Sequence, residues 1–216
     1  MPTAFETPTL RGEVVRLEAL GIEHVDDLFV AANEDRSSYY YTRVPGSHDD
    51  VAYYVEDLLQ SWRAGDVVPF AQIAVHDGRA VGVTRYMTIR RSSSELSPFA
   101  VEIGGTFLAA SAQRTGINTE AKYLLLEHAF DVLGVGRVDL KTDARNDRSR
   151  NAMLRIGATF EGVLRNWQPS LVPGEEGLLR DSALYSIVDR EWPEIREHLA
   201  SLIASRKTLS DRDASA

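Results

Sequence analysis

The positions of apolar side chains follow two periods along the chain, one typical of strands and the other of helices. Alternating apolar and polar residues, together with longer apolar runs, predict seven strands, at Val14–Leu20, about Ala71–Val75, Ala80–Ile89, Pro98–Leu108, Arg137–Thr142, Thr159–Arg165 and Asp181–Val188. A spacing of three to four residues predicts helices at His24–Asn33, Val51–Trp62, Thr119–Leu133 and Arg148–Ile156, and a fifth with Pro193 in its first turn.

Turn and capping residues mark several ends of these elements. Ser47 stands three residues before Asp50, a pattern that predicts a helix start, and Gly65 predicts the end of the same helix. Asp77-Gly78 predicts a hairpin and therefore an antiparallel pair. The later strand–helix–strand order predicts a parallel pair, because parallel neighbours need a long crossover. The sequence thus predicts an α+β (mixed α/β) fold, a mixed sheet with helices on both faces.

Length and composition favour one ordinary globular domain. The 216 residues are 44% hydrophobic and 26% charged, and we predict a single domain over residues 1–205 with a polar, disordered tail over 206–216. No stretch approaches the ~20 apolar residues of a membrane span, and the first six residues lack the pattern of a signal peptide. The expected location is the cytoplasm, with no membrane partner.

Charge and residue types exclude several kinds of site. The net charge of −8 disfavours nucleic-acid binding and mildly favours cationic partners such as amines. The chain has no cysteine, which excludes disulfides, a thiolate nucleophile and Cys-based zinc sites. Its five histidines are far apart and form no ligand pair, so we predict no metal site; they are His24, His48, His76, His128 and His198.

The segment Gln113–Glu120 carries the clearest chemical signal. It joins a predicted strand to a predicted helix, and a helix N-terminus with unpaired N–H groups can bind a pyrophosphate. Gly116 would let the backbone approach phosphates closely or adopt a positive φ, and Arg114 adds a positive charge. A turn that binds no ligand is the other interpretation of this segment alone.

Several motifs in order resemble the GNAT superfamily, in the branch similar to ribosomal-protein-alanine N-acetyltransferases. Gln113 and Gly116 match its acetyl-CoA-binding motif Q/R-x-x-G-x-G/A, while Asn118 departs from the small residue there. The other matching segments are Glu102-Ile103-Gly104, Asn146-Asp147-Arg148-Ser149, Leu154-Arg155-Ile156-Gly157-Ala158, Glu161-Gly162-Val163-Leu164-Arg165 and Arg180-Asp181. The resemblance is dense from about Val101 to Trp192 and implies a three-layer fold around a mostly antiparallel sheet of about seven strands.

The resemblance also implies roles for individual residues. Glu102 would be the base that removes a proton from the amine, and Ser149 would donate a hydrogen bond to the leaving thiolate. Acetyl-CoA would be bound by Gln113, Arg114, Thr115, Gly116, Ile117, Asn118, Thr119 and Asn146. The structural alternatives are a salt-bridged Glu102 and helix caps at Asn146 and Ser149. Tyr39, Tyr40 and Tyr41 either line the acceptor pocket or pack beneath their loop.

The acceptor stays open at this level. The resemblance implies acetylation of an α-amine on a peptide or protein, and alternatives are a small-molecule amine, a lysine side chain, or a non-catalytic acyl-CoA sensor. We expect the pocket to be shaped by Arg36–Ser47, Arg90–Glu95 and Gln168–Leu178. Dimers are common in the branch, so a homodimer is compatible with the resemblance.

Overall fold

The structure is a computed structural model that describes residues 7–92 and 97–213. These residues form eight strands: β1 (Leu10–Arg11), β2 (Val15–Ala19), β3 (Val68–Ala74), β4 (Ala80–Arg91), β5 (Pro98–Leu108), β6 (Arg137–Asp143), β7 (Thr159–Pro169) and β8 (Leu179–Val188). They also form five α-helices: α1 (Val25–Asn33), α2 (His48–Ala64), α3 (Ile117–Glu127), α4 (Asp147–Arg155) and α5 (Trp192–Asp213). The seven predicted strands and five predicted helices are present, and only β1 is new because two residues are too few to show a period.

The ends of α2 follow the capping residues in the sequence. The Ser47 hydroxyl accepts a hydrogen bond from the Asp50 N–H at 3.1 Å, and the Asp50 carboxylate accepts one from the Ser47 N–H at 3.4 Å. Gly65 ends the helix in the left-handed region, at φ 81°, which glycine adopts at little steric cost. Both predicted ends of this helix are therefore confirmed.

The predicted helix Thr119–Leu133 differs from the observed one. α3 starts two residues earlier, ends at Glu127, and is followed by a π-helical turn, His128–Val132. The buried Tyr86 hydroxyl donates to the Leu125 carbonyl at 2.5 Å. A side chain that occupies a carbonyl in the last α-helical turn interrupts the regular ladder, which favours the wider turn.

The last helix enters the segment that composition predicts to be disordered. α5 continues through Asp213, so residues 206–213 lie in a helix in this structure. Residues 214–216 of that predicted tail lie outside the described part, as do residues 93–96 of the predicted Arg90–Glu95 loop. The order of the tail in solution, and the domain boundary at residue 205, stay predictions.

The strands lie in one sheet in the order β1-β2-β3-β4-β5-β6-β8-β7. β3 and β4 form the antiparallel hairpin predicted from Asp77-Gly78, and Gly78 has a φ of 75°. Of the pairs in this sheet of described residues, β5 with β6 is parallel and the others are antiparallel, as the α3 crossover requires. β8 lies between β6 and β7, so β7 forms the edge of the sheet and the chain returns inside it.

Helices cover the two faces of the sheet unequally. One face packs on α3 and α5 through a large apolar core that includes Phe70, Tyr86 and Leu125. On the other face, α1 and α2 cover β3 and β4 through a smaller core that includes Leu28 and Val55. β5, β6 and β8 also have side chains on this second face, and those side chains are mainly polar or charged. The uneven cover leaves room for a site over β5 and β6.

A buried carboxylate attaches the first strands to α3. Both oxygens of Glu120 are used, and they accept hydrogen bonds from the N–H groups of Glu13, Val14 and Val15 at 2.7–2.9 Å. A Cβ on Gly12 would lie 2.4 Å from the Glu120 side chain, so this position requires glycine. The start of α3 is therefore fixed against β2.

Lys122 on α3 gives folding stability a specific pH dependence. Its amine is buried and donates to the Thr106 hydroxyl at 3.0 Å, and burial lowers the pKa of Lys122 from 10.5 to about 8. Between these pH values the unfolded chain binds the proton and the folded chain does not. The free energy of unfolding therefore rises with pH in this window, by about 3 kcal/mol for a shift of this size.

We predict that Lys122→Met is more stable than the wild type near pH 7 and that this advantage shrinks by about 3 kcal/mol towards pH 10.5. Urea unfolding of both proteins at pH 7, 8, 9 and 10 measures the difference in their free energies of unfolding. Contributions from other titrating groups are the same in both proteins and cancel in this difference. A difference that stays constant across this range would mean that Lys122 titrates alike in both states.

Candidate active site

The sheet opens between β5 and β6. The two strands pair over three positions, Ala100 with Arg137, Val101 with Val138 and Glu102 with Asp139, although β5 continues to Leu108 and β6 to Asp143. Beyond Glu102 the edge of β5 that faces β6 therefore has no strand partner. Unpaired backbone groups at a wedge of this kind can bind an extended ligand by main-chain hydrogen bonds.

A β-bulge lies at the start of this wedge. The register of β5 on β4 shifts between Phe107 and Gly104, which leaves one extra residue on β5. Gly105 has a φ of 57°, and a Cβ there would lie 2.3 Å from the Arg85 side chain. A bulge rotates backbone groups out of the ladder, so N–H groups of β5 become available to polarise a carbonyl in the wedge.

The N-terminus of α3 lies at the end of β5 and offers free donors. Gly116 caps α3 without a side-chain hydrogen bond. The Ile117 N–H donates to the Thr115 hydroxyl at 3.2 Å, whereas the N–H groups of Asn118 and Thr119 have no acceptor among the described residues. This is the arrangement that binds anions at a helix start.

The backbone of this loop has one non-glycine residue with a positive φ, and Gly116 itself has a negative φ. Gly116 has a φ of −72°, so the alternative that its glycine provides a positive φ is wrong. Arg114 adopts a φ of 63° instead. A Cβ at position 116 would meet only Val14, at an ordinary 3.4 Å. The remaining role of Gly116 is to keep the helix start open to a ligand.

The predicted cofactor residues differ in what they can offer. The side chain of Ile117 is in the apolar core, and the buried Thr119 hydroxyl accepts a hydrogen bond from Arg155 at 3.1 Å. These two residues can therefore contribute backbone groups alone. Arg114 and Thr115 are exposed, and Asn118 is partly exposed.

The helix after β6 forms the other wall of the same entrance. Asn146 caps α4, because its side-chain oxygen accepts a hydrogen bond from the Ser149 N–H at 3.0 Å. The Ser149 hydroxyl is not the cap and remains partly exposed. Arg148 donates to the Gln113 side chain, so α4 and the Gln113–Thr119 loop meet across the mouth of the wedge. The structure thus brings the predicted cofactor residues together.

Glu102 is buried where the strands begin to diverge. Its Oε2 atom accepts hydrogen bonds from the Lys141 amine and the Thr88 hydroxyl, each at 3.0 Å. Among the described residues, no donor contacts Oε1, which lies on the side of Gly104, at the start of the wedge. The salt bridge of the structural interpretation is therefore present, while the role of Glu102 as a base stays a prediction that its second oxygen leaves open.

Charged side chains continue from Glu102 across the second face of the sheet. We call this region the charged groove and define it by Glu102, Asp139, Lys141, Asp143 and Arg180. Burial opposes the charge of Asp143, but hydrogen bonds from Arg145 outweigh it and hold the pKa of Asp143 below its ordinary value.

Arg145 ties together three segments at one end of the charged groove. It contacts Asp143 at 2.8 Å and Glu175, in the β7–β8 loop, at 2.7 Å, and it lies 5.6 Å from the ring centre of Tyr41. Two of the segments expected to shape the acceptor pocket therefore meet at this side chain.

The three tyrosines have different surroundings. The Tyr39 hydroxyl donates to the Leu108 carbonyl at 2.9 Å and its ring packs edge-on against Phe107, so Tyr39 supports the loop. Tyr40 is 60% exposed. Tyr41 faces Arg145 and is the member of the trio that lies beside the charged groove.

Comparison with known proteins decides the family. Residues 15–159 match the family described as acetyltransferase (GNAT) domain. The chain belongs to the GNAT acetyltransferases. These enzymes are acyltransferases, and the mixed α/β fold of this GNAT acetyltransferase, with its mostly antiparallel sheet, matches that of its GNAT neighbours.

Several relatives resemble this GNAT acetyltransferase over most of their length. A putative ribosomal N-acetyltransferase, YdaF of Bacillus subtilis, is 25% identical over 179 residues, 82% of this chain and 90% of the relative. The structure of a GCN5-related N-acetyltransferase from Brucella melitensis superposes with a TM-score of 0.79 at 27% identity, over 93% of this chain and 87% of the other. Mycobacterium smegmatis RimJ, in complex with CoA-disulfide, has a TM-score of 0.74 at 22% identity, over 93% and 94% of the two chains, and shows the shared fold.

Two kinds of feature are absent from the described residues. None of the described helices is long and apolar enough to cross a membrane. Within residues 7–92 and 97–213, no group of three or more histidine and acidic side chains could hold a metal ion.

Sequence reasoning missed several residues that build this GNAT site. Lys141, Thr88 and Arg145 have no motif of their own, and strand pairing alone brings Lys141 and Thr88 to Glu102. Glu120 was visible as the last residue of the Gln113–Glu120 segment, but its partners lie more than 100 positions away. Alternation along β6 was the one available signal, since it places Asp139, Lys141 and Asp143 on one face.

Proposed function

We propose that this GNAT acetyltransferase transfers the acetyl group of acetyl-CoA to the α-amine of a peptide or protein. The observation that carries the proposal is the wedge between β5 and β6, with an open helix start at one end and the free oxygen of Glu102 at the other. The relative named as a putative ribosomal N-acetyltransferase supports a protein acceptor, and with it the cytoplasm as the expected location.

The residues at the wedge fit the donor acetyl-CoA. The free N–H groups of Asn118 and Thr119 suit the pyrophosphate, and the exposed Arg114 adds a cation beside them. Gln113 and Asn146 border the same entrance, and the unpaired edge of β5 suits the amide-containing arm. Acetyl-CoA supplies the thioester, and relatives crystallised with CoA-disulfide or acetyl-CoA support this choice.

Glu102 and Ser149 perform the proton transfers in this proposal. A protonated amine cannot attack a thioester, so the free Oε1 of Glu102 accepts its proton, directly or through one water. Lys141 and Thr88 hold the other oxygen and fix the carboxylate in place. The Ser149 hydroxyl, which has no capping role, donates to the leaving sulfur. N–H groups freed by the bulge at Gly105 polarise the thioester carbonyl.

The proposal is tested by CoA thiol release with acetyl-CoA and a panel of short peptides, small amines and blocked lysine. We expect release that requires a peptide with a free α-amine and acetylation of that amine by mass spectrometry. If CoA thiol is released only with small amines, or only with lysine, then that compound class is the acceptor and the α-amine of a peptide is not. Tight calorimetric binding of acetyl-CoA without acetylation of any amine would instead indicate an acyl-CoA sensor.

We predict that Glu102→Gln lowers kcat by about 100-fold or more and removes the acidic limb of the pH–rate profile, because glutamine accepts no proton. Lys141→Gln is the matched control, since it breaks the same ion pair but keeps the carboxylate, and we expect it to retain an acidic limb. If Glu102→Gln keeps the limb, or if both variants behave alike, Glu102 is structural.

We predict that Ser149→Ala lowers kcat by about 10-fold to 100-fold while the Kd for acetyl-CoA changes less than twofold, because the hydroxyl acts on the leaving group. Helix α4 should stay intact, since Ser149 contributes its backbone N–H to the Asn146 cap. Ser182→Ala, which removes a buried hydroxyl of β8 that has no hydrogen-bond partner among the described residues, is the control for loss of a serine. Wild-type kcat in Ser149→Ala would remove Ser149 from the mechanism.

A further inference from the structure

Arg180 on β8 forms no hydrogen bond or ion pair with the described residues, in a region where the other charges are paired. In the charged groove, Lys141 contacts Glu102 at 3.0 Å, and Asp139 contacts Arg137 and Arg90 at 2.6 and 2.5 Å. Asp143 forms an ion pair with Arg145. Arg180 makes no hydrogen bond or ion pair with any residue that the structure describes, and its Nε is buried.

The position of Arg180 follows from the register of the strands. Ser182 lies opposite Asp143 and Ser186 opposite Asp139, so even-numbered residues of β8 share the face of the charged groove. Arg180 is two residues before Ser182 and therefore lies on this face. The charges of Asp143 and Glu102 act on its guanidinium, which brings it into the same environment as the proposed base.

The isolation of Arg180 is unfavourable in the free protein. Its side chain is partly buried, and burial lowers the pKa of Arg180 below the ordinary value against the effect of Asp143 and Glu102. Because a guanidinium keeps its proton at physiological pH, the free-energy cost of burying its charge remains. Two other arginines on β4 also have an unpaired Nε, but Arg85 bonds Tyr54 and Arg90 bonds Asp139 through their terminal nitrogens. Buried donors left unpaired in this way suit a ligand that completes them.

The neighbouring residue has a structural role that Arg180 lacks. The Asp181 carboxylate accepts a hydrogen bond from the Asn166 N–H at 2.8 Å and so holds the irregular part of β7. Arg180 pairs with Gln168 through strand register alone. Nothing in the packing of β8 explains why this position carries a guanidinium.

We propose that Arg180 binds a carboxylate of the acceptor, and that this enzyme therefore prefers amines that carry an anionic group. The inference rests on the proposed function. Among the five described residues that define the charged groove, two offer unfilled hydrogen-bonding groups, the Oε1 atom of Glu102 and the guanidinium of Arg180, and the unpaired Ser182 hydroxyl lies on the same face. A molecule that fills both has an ammonium at one end and a carboxylate at the other. α3 packs on the first face of the sheet, whereas Arg180 lies on the second, so the sheet separates the charged groove from the helix start proposed for the cofactor phosphates.

The test compares acceptors that differ in charge alone. A tetrapeptide amide with glutamate as its second residue is compared with the same peptide carrying glutamine, and alanine is compared with alaninamide. The first pair reports a side-chain carboxylate and the second a main-chain carboxylate. For the wild type we expect kcat/KM to favour the charged member of at least one pair by about 10-fold to 100-fold.

Arg180→Gln should abolish this preference through a rise in KM for the charged acceptor, with kcat, the neutral acceptor and the KM for acetyl-CoA changed less than twofold. Arg180→Lys should recover part of the preference, because the charge remains but the planar fork is lost. Arg190→Gln, at an exposed arginine outside the groove, is the matched control. Circular dichroism and the unchanged neutral acceptor show that each variant is folded.

Three outcomes would overturn the inference. The wild type could acetylate charged and neutral acceptors with equal kcat/KM. Arg180→Gln could lower kcat/KM for both acceptors by the same factor. Arg180→Gln could also raise the KM for acetyl-CoA, which would mean that Arg180 binds an anionic group of the cofactor. Acetylation of neutral amines without preference defeats this inference but keeps the proposed function. Failure to acetylate any amine defeats the proposed function, and the preference for anionic acceptors falls with it.

Discussion

The divergence of β5 from β6 is the constraint on which the rest of the site depends. Two parallel strands that pair over three residues leave the following backbone groups of β5 without the partners that a sheet normally supplies. The crossover helix α3 begins at Ile117, after the short connection that follows β5, and its start has free N–H groups. The bulge at Gly105 and the α4 start add to this region. An extended ligand with a phosphate end can satisfy all of these groups at once.

Buried charges give the opening its chemistry and also its rigidity. Moving a carboxylate and an ammonium out of water costs free energy of solvation. The ion pair between Glu102 and Lys141 offsets this cost only because its geometry is good and Thr88 adds a hydrogen bond. Such a pair contributes little to net stability, but it leaves Glu102 with one fixed oxygen and one free oxygen. Arg145 acts similarly at the other end, where it holds Asp143 and the β7–β8 loop in one arrangement.

The parts of the structure that depend on local sequence were predicted well. The hairpin at Asp77-Gly78, the capping of α2 and the parallel β5–β6 pair follow from turn residues, caps and periodicity. Motifs within one loop also identified the α3 start. Predictions failed where distant residues decide: Tyr86 ends the regular part of α3, and Arg114 rather than Gly116 takes the positive φ. The partners of Glu102 and the isolation of Arg180 depend on strand order, which no local pattern contains.

Strand order also explains why the sequence predicts the cofactor site better than the acceptor site. In the proposed function, the donor is bound by a loop and a helix start, which belong to one contiguous segment. The proposed acceptor region is assembled from β4, β5, β6 and β8, of which β8 is inserted between β6 and β7 by the return of the chain. One substitution on β8 can change the charge beside Glu102 without touching the wedge or the α3 start. Acceptor choice in this fold can therefore vary while the acyl-transfer machinery stays constant.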